Sequence, residues 1–534
     1  MSTSTSKGRY VGAIDQGTTS SRFILFDRNG NPVISHQVKL PNIFPKPGWQ
    51  EQDPKEILST VETCISKVME KVPKEDVAAV GVTNQRETLV CWDVETGEPL
   101  HNAIVWCDAR TAEMCAEWEK RFGGKDAFRD VCGLPISTYF SATKLAWLLE
   151  NSDAVRAAAQ SNRLRVGTVD SWLIYRLTGG AKGGVHVTDV SNASRTMLMS
   201  LKTRDWDPSV CASLGISVTW LPRIKSSSEV YKSIHDGPLK GCAISGCIGD
   251  QQGALLGQLC IHKGNAKNTY GTGCFLLMNT GDTPVFSTHG LLTTAAYQLG
   301  PDAPCHYALE GSVAVAGAAL SWLQDSLNIV NSPKEFDQLA ASVPDNGGVY
   351  FVPAFSGLLS PHWKDSARGV IVGLTRFATR AHLCRATLEA SAFQTNDVIQ
   401  AMEKDAGMRI SSLAVDGGLT RSDILCQFQA DILQVPVDRP HMDERTALGA
   451  AVAAGLAKEV GFWRDLSDVV SSTSAAGTKG KTEDGAHKAS PRPGFVRFDP
   501  SSDQTRRQEL LRNWEKAIQR SFDWVESDAK ASKL

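Results

Sequence analysis

At 534 residues the chain is longer than one hydrophobic core can serve, so two large domains are the first expectation. Lys and Arg number 56 against 58 Asp and Glu, and a net charge of −2 leaves no basic excess to neutralise a polyanion, which excludes nucleic acid as the main partner. No uncharged apolar run reaches the ~18 residues of a membrane helix, the nearest being Ser312 to Leu320, so no membrane span and a soluble protein are expected.

Residues 1–7 have neither an apolar core nor an Arg-rich amphipathic pattern and read as a flexible N-terminus. The first unit is a hairpin, with strands at 10–14 and 22–26 around Asp15-Gln-Gly-Thr-Thr-Ser-Ser21. Asp53-Pro-Lys-Glu56 then supplies an N-cap, a first-turn proline and an early carboxylate. Ile57, Leu58, Val61, Cys64, Ile65, Val68 and Met69 follow at helical spacing. Strands are predicted at 77–82, 103–106, 164–169 and 243–247. A second hairpin of the same style, 266–270 and 274–278 around Gly271-Thr-Gly273, opens a second half. That half continues with helices at 313–325, 381–404, 423–433 and 447–458 and a strand at 413–415. Alternation of this kind builds a mainly parallel sheet with crossover helices, so both halves are α/β, with boundaries at 8–257 and 258–470. Segment 471–493 is rich in Ser, Thr, Gly, Lys and Pro and is expected to be a disordered insertion. It contains Ala475-Ala-Gly-Thr-Lys-Gly-Lys-Thr482, which mimics a P-loop but lacks the strand before and the helix after that a working P-loop needs. In 494–534, Leu510, Leu511, Trp514, Ile518 and Phe522 share a helical face ahead of a polar tail.

Thirteen cysteines without a Cys-x-x-Cys argue against structural zinc and a disulfide framework, leaving reduced core residues. His186, His289 and His362 stand apart from any ligand cluster, and no Gly-x-Ser-x-Gly elbow is present. The Asp15 turn joins a carboxylate at a strand end to small hydroxyl residues, which suits a metal-bound polyphosphate or an ordinary Asx hairpin. The Gly271 turn and Asp416-Gly-Gly418 offer two further phosphate-compatible backbones, the latter at the end of a strand where α/β sheets bind ligands. Asn84-Gln-Arg-Glu87 reads either as a solvated ion pair or as a donor and acceptor set for a small polyol. Trp106 reads as core. In Gly249-Asp-Gln-Gln252 the carboxylate is either an N-cap or a proton acceptor at a cleft floor.

Together these motifs resemble the FGGY carbohydrate kinases, and within them the branch that phosphorylates glycerol, from Tyr10 to about Arg464. Further stretches carry the same resemblance: Gly81-Val-Thr-Asn-Gln-Arg-Glu-Thr88, Thr138-Tyr-Phe-Ser-Ala-Thr-Lys144, Thr188-Asp-Val-Ser-Asn-Ala-Ser-Arg-Thr196, Lys267-Asn-Thr-Tyr-Gly-Thr-Gly-Cys-Phe275, Phe355-Ser-Gly-Leu-Leu-Ser-Pro361 and Val415-Asp-Gly-Gly418. The resemblance implies two actin-like, ribonuclease H-like domains with a cleft between them. It also implies ATP and Mg2+, and transfer of the terminal phosphoryl group to glycerol to give sn-glycerol 3-phosphate and ADP.

Carried over onto this chain, Asp250 is the catalytic base. Arg86, Glu87, Tyr139, Asp250 and Gln251 are glycerol contacts, with Trp106 and Phe275 as apolar walls. Thr18, Thr19, Ser20, Arg22, Thr272, Gly317 and Gly418 are nucleotide contacts, and Asp15 lies near the metal. The chain departs from the family at Ser321, where bacterial relatives usually have Gln, and at Ser422, where Asn is common, which touches the adenine side. The loop that senses fructose bisphosphate in bacterial relatives is not recognisable within 226–241, so that regulation is not carried over. A kinase for a larger sugar such as xylulose is disfavoured by the walls Trp106 and Phe275, and a catalytically silent ATP sensor by retention of Asp15 and Asp250. A homodimer or higher homo-oligomer is expected. The final Ser532, Lys533 and Leu534 match a peroxisomal import signal, so a peroxisome or glycosome, with binding to its import receptor, is expected ahead of the cytoplasm.

Overall fold

The strand Val77–Asn84, VAAVGVTN, is made of small and β-branched residues and is buried at every position but one, as a central strand covered on both faces must be. It pairs in parallel with Tyr10–Gln16 on one side and Ala243–Gly249 on the other. The computed structural model, which describes residues 8–476 and 494–525, completes this sheet with the antiparallel strands Ser20–Phe26, Pro32–Lys39 and Ser228–Ser233. Helix Pro54–Met69 starts as its sequence requires, Asp53 accepting from the Lys55 amide at 2.8 Å, and lays its apolar face on the strands Ser20–Phe26 and Pro32–Lys39.

The second half repeats this plan with one strand added. Ala266–Tyr270 is central, antiparallel to Cys274–Gly281 and parallel to Leu413–Asp416. Cys305–Val313 lies beyond the former, while Val437–Pro440 and then Phe495–Phe498 lie beyond the latter. Leu292–Gln298 is added at one edge. The two hairpin turns that looked alike in sequence therefore occupy equivalent places in two sheets of the same order and strand directions.

The halves are joined by close packing. Helix Arg445–Leu456, from the second half, lies across the first sheet so tightly that a methyl group at Gly81 would sit 2.1 Å from the Ala450 carbonyl oxygen. It also crosses helix Asp250–Gly257, where a methyl at Gly449 would sit 2.0 Å from the Gly253 oxygen. Only glycine permits these approaches. A smaller four-stranded sheet, Glu51–Gln52, Ala103–Ile104, Leu89–Asp93 and Leu164–Thr168, flanks the first half and carries the loop with Trp106.

Several boundaries differ from expectation. The helix expected from Val313 begins at Gly317, because Ser312 and Val313 still pair with Phe275 and Cys274; it runs only to Ser321 before a turn of π-helix, Trp322–Ser326. Helix Leu466–Ala476 carries the chain past Ser471, so the expected disordered segment does not begin there, and its remainder, 477–493, lies outside the described residues. The N-terminal residues 1–7 and the tail with Ser532, Lys533 and Leu534 also lie outside them. The last helix among the described residues is Gln504–Ser521, with Leu510, Trp514 and Ile518 buried and Phe522 just past its end. All thirteen cysteines are free thiols, and Cys107 alone is exposed.

Candidate active site

Parallel register decides where the site is. Gln16 and Gly249 both stand opposite Asn84, so the three strands end level and deliver the Gly17 turn, Arg86 with Glu87, and Asp250 with Gln251 to one carboxyl edge. In the second sheet Thr269 stands opposite Asp416, which brings the Gly271 turn beside Gly417 and Gly418.

The expected acceptor residues converge with a chemistry that the sequence did not disclose. Arg86 and Glu87 are 3% and 1% exposed, so the solvated-pair reading of this dipeptide fails. Nor do they pair with each other. Arg86 donates through Nη1 to Glu310 Oε2 at 2.6 Å and through Nη2 to Glu310 Oε1 at 3.0 Å, while its Nε lies 3.0 Å from Asp250 Oδ1. Glu87 accepts from Arg195 Nε at 2.6 Å, and Arg195 Nη2 lies 3.3 Å from Glu310. Two guanidinium groups and two carboxylates thus balance in the interior, where an unpaired charge would be costly. Burial pushes Glu87 above the usual carboxylate range, only partly offset by Arg195 and Arg86. Burial would do the same to Glu310, but its two arginine partners outweigh it and hold that carboxyl below the range. Glu87 also carries a backbone φ of 60°, a left-handed conformation held in place by Ser141, whose hydroxyl donates to the Glu87 carbonyl at 3.1 Å.

Trp106 belongs to the walls of this site and not to the core. It lies beyond the two-residue strand Ala103–Ile104, half-buried, with Nε1 donating to Thr18 Oγ1 at 3.0 Å. Its ring meets Tyr139 at 5.5 Å and stands edge-on to Phe275 at 6.1 Å. Three aromatic rings from three segments form an apolar box beside the charged array. Asp250 opens helix Asp250–Gly257, where its Oδ1 accepts the Gln251 amide at 2.7 Å. Its side chain keeps 30% exposure, enough for a carboxylate to meet an incoming hydroxyl. Gln251 Oε1 accepts from Lys267 Nζ, which also donates to Thr269 Oγ1 at 3.0 Å and to the Phe275 carbonyl at 3.2 Å. Burial lowers the Lys267 pKa to about 8.

Thr272, Gly317 and Gly418 line one cavity of about 840 Å³ in the second half, together with Ser321 and Ser422. The Thr272 carbonyl accepts the Ala316 amide at 2.9 Å and the Ala318 amide at 3.1 Å, so the segment before helix Gly317–Ser321 is wrapped onto the Gly271 turn. A methyl group at Gly418 would meet nothing within 4 Å, leaving open space for a ligand. Ser422 donates to Asp337 in the same cavity.

The first turn is braced from beneath. Gln52 Nε2 and Asn42 Nδ2 donate to the Thr18 carbonyl at 2.7 and 3.1 Å. Thr19 is exposed, Ser20 accepts from Gln37 at 2.9 Å, and Arg22 reaches across to Glu444 of the second half at 2.7 Å. Asp15 is pushed up to about 7, chiefly by burial; Arg22 opposes the shift, and the neighbouring carboxylates Glu444 and Asp250 add to it. A half-buried carboxylate among like charges is a fitting oxygen ligand for a hard divalent cation that also holds phosphate oxygens. Of the histidines singled out in the sequence, His186 bonds to the Val166 carbonyl, and His289 and His362 lie beside Asp405 and Asp397.

Arg195, Glu310, Lys267 and Glu444 escaped the reading of the sequence. Glu310 left a legible trace, as the one carboxylate in the mostly apolar or small strand Cys305–Val313. Such a residue must find an opposite charge.

Comparison with known proteins agrees with this layout. The model of the FGGY family of carbohydrate kinases, N-terminal domain, matches residues 10–257, and that of the C-terminal domain matches 266–458. A glycerol kinase of Acidiphilium cryptum is 52% identical over 97% of this chain and 100% of its own length, and one of Arabidopsis thaliana is 50% identical over 96% and 98%. Among solved structures, Plasmodium falciparum glycerol kinase with ADP superposes with a TM-score of 0.87 at 36% identity, covering 96% of this chain and 98% of that one. A xylulose kinase of Lactobacillus acidophilus, 23% identical over 98% of each chain with a TM-score of 0.80, shares the fold. With both halves matched in order and the relatives aligned over nearly their whole length, the chain belongs to the FGGY family of carbohydrate kinases.

Proposed function

We propose that the protein transfers the terminal phosphoryl group of ATP to a primary hydroxyl of glycerol, giving sn-glycerol 3-phosphate and ADP. The observation that carries this reading is Asp250, a part-exposed carboxylate held 3.0 Å from Arg86 beside the aromatic box of Trp106, Tyr139 and Phe275. Arg86, Glu87, Tyr139 and Gln251 orient the acceptor hydroxyls, and the rings of Trp106 and Phe275 cover its carbons. Lys267 occupies Gln251 Oε1, which turns the Gln251 amide NH2 toward the acceptor as a donor. Asp250 accepts the proton of the attacking hydroxyl as its oxygen bonds to phosphorus and the bond to ADP breaks. Positioning and charge stabilisation supply most of the acceleration.

The nucleotide lies along Thr272, Gly317 and Gly418, and its phosphates reach Thr18, Thr19, Ser20 and Arg22. Asp15 would hold Mg2+, which would supply charge neutralisation for the phosphate chain. Closure of the two halves would exclude water, the competing acceptor. The C-terminal Ser532, Lys533 and Leu534 direct import into a peroxisome or glycosome, a reading tested by comparing the location of tagged full-length chain with that of a chain ending at Ala531.

The enzymatic reading is tested by coupled ADP release with glycerol, dihydroxyacetone, xylulose or no acceptor. Glycerol is expected to give the highest kcat/KM. Preference for xylulose would replace the acceptor, and equal release with and without acceptor would remove the kinase reading.

A further inference from the structure

We propose that Glu310 is a positioning residue for the acceptor, acting through Arg86 on Asp250 and through Arg195 on Glu87. The inference rests on the phosphotransfer reading above and adds the residue that aligns its acceptor groups. Glu310 has no exposed surface, so it touches no substrate itself. Its effect must pass through its partners.

The Arg86 guanidinium has one Nε–H and two N–H groups on each Nη. Glu310 takes one from each Nη in a bidentate fork, and Gln252 Oε1 lies 3.3 Å from Nη1. A fork fixes the guanidinium plane as well as its position. With that plane fixed, Nε is held 3.0 Å from Asp250 Oδ1 as an ion pair, and one Nη2 hydrogen is left over for an acceptor hydroxyl. The same carboxylate lies 3.3 Å from Arg195 Nη2, a charge contact without a hydrogen bond, and Arg195 Nε holds Glu87 at 2.6 Å. Without Glu310 both guanidinium groups would compete for Glu87 and Asp250, the two carboxylates that the acceptor needs.

Glu310 also comes from the opposite half of the molecule. It stands opposite Leu277 in the pairing of Cys305–Val313 with Cys274–Gly281. That pairing continues through Phe275 and Ser312 to Cys274 and Val313, at the base of the Gly271 turn. One pair of strands thus carries the nucleotide-facing turn, the aromatic wall Phe275 and the counter-charge that aligns the acceptor groups of the first half. Seating of the nucleotide and alignment of the acceptor are joined by that rigid pair.

The test compares wild type with Glu310→Gln, Glu310→Asp and Arg195→Lys, fitting KM for glycerol and for MgATP separately alongside kcat and thermal melting. Glu310→Gln removes the charge at constant size. It is expected to raise KM for glycerol at least about tenfold and lower kcat about tenfold, with KM for MgATP within about twofold. Arg195→Lys, which keeps a cation between Glu87 and Glu310, should retain more of the glycerol affinity than Glu310→Gln. A melting shift with an unchanged KM for glycerol, or equal rises in both KM values, overturns the proposal by making Glu310 merely structural. Should Glu310→Gln fail to fold, Glu310→Asp decides: it keeps the charge but is one methylene too short for the fork, and the same split in KM supports the proposal while its absence overturns it. A wild-type protein inactive on glycerol sinks the phosphotransfer reading and this proposal with it. An active wild type beside unaltered variants sinks the proposal alone.

Discussion

The two ends of the cleft are built from different materials. At the proposed acceptor end charged side chains dominate: Arg86, Glu87, Arg195 and Glu310 are all within 3% of full burial, and each charge is answered by another. At the proposed nucleotide end, a cavity of about 840 Å³ joins the bare backbone of Gly271, Gly317 and Gly418 to mainly apolar side chains such as Leu320, Phe336 and Leu388. Recognition by charged side chains is specific and brittle, because removing one partner strands another in the interior. Recognition by backbone depends on shape, so the residues that matter there are those whose missing side chains leave room.

Asp250→Asn breaks the comparison most severely. It keeps the shape of the acceptor end and removes its proton acceptor, so kcat should fall by about 10²–10⁴-fold or more while nucleotide binding at the other end stays close to wild type. Activity within tenfold of wild type would take Asp250 out of the base role.

Gly418→Ala probes the opposite end. A methyl group there meets nothing in the free protein, so thermal melting should be unchanged. In the complex it would intrude on the ligand and weaken nucleotide affinity by about 1–3 kcal/mol, measured by calorimetry. Loss of stability without loss of affinity would move the nucleotide away from Gly418.

Phe275→Ala should act on the acceptor end more mildly than Asp250→Asn, since its ring stands in the acceptor box and its carbonyl accepts from Lys267. Losing an apolar wall should reduce the ratio of glycerol to xylulose activity by about tenfold, with nucleotide affinity little altered. An unchanged ratio would place the ring outside the acceptor site.

The remaining effect is on stability and not on turnover, at Asp15→Asn. The folded protein raises this carboxyl from 3.8 to about 7 and so holds the proton more tightly than the unfolded chain does. Below the unfolded value the group is neutral in both states; as pH rises toward 7 the folded state must bury the charge, and the penalty is complete above that. The asparagine variant should therefore melt higher than wild type above pH 7, with the difference fading toward pH 4. A difference that grows on acidification would reverse the assigned sign.

Much of the fold could be read directly from local pattern. The two Gly/Thr turns, the alternation of strands and helices and the capped helix at Pro54 each rest on neighbours a few residues apart, and the structure contains them all. The ends of elements were less legible. The run through Val313 is apolar enough for either a strand or a helix, and pairing with Cys274 settled it as strand. Trp106 shows the same limit at a site: an aromatic residue after an apolar strand is as compatible with core as with a wall until Thr18, Tyr139 and Phe275 are brought to it.

By itself the sequence determined the two-half α/β plan, the strand ends that carry functional groups and the identity of Asp15, Arg86, Glu87 and Asp250 as groups with chemistry to offer. Tertiary structure alone decided which charges answer one another. Arg86 sits next to Glu87 in the chain yet binds Glu310, 224 residues away, and Arg195 takes Glu87 in its place. The physical reason is that periodicity records whether a side chain is buried, a property of its own segment. The partner of a buried charge is set by the register of strands brought together from distant parts of the chain.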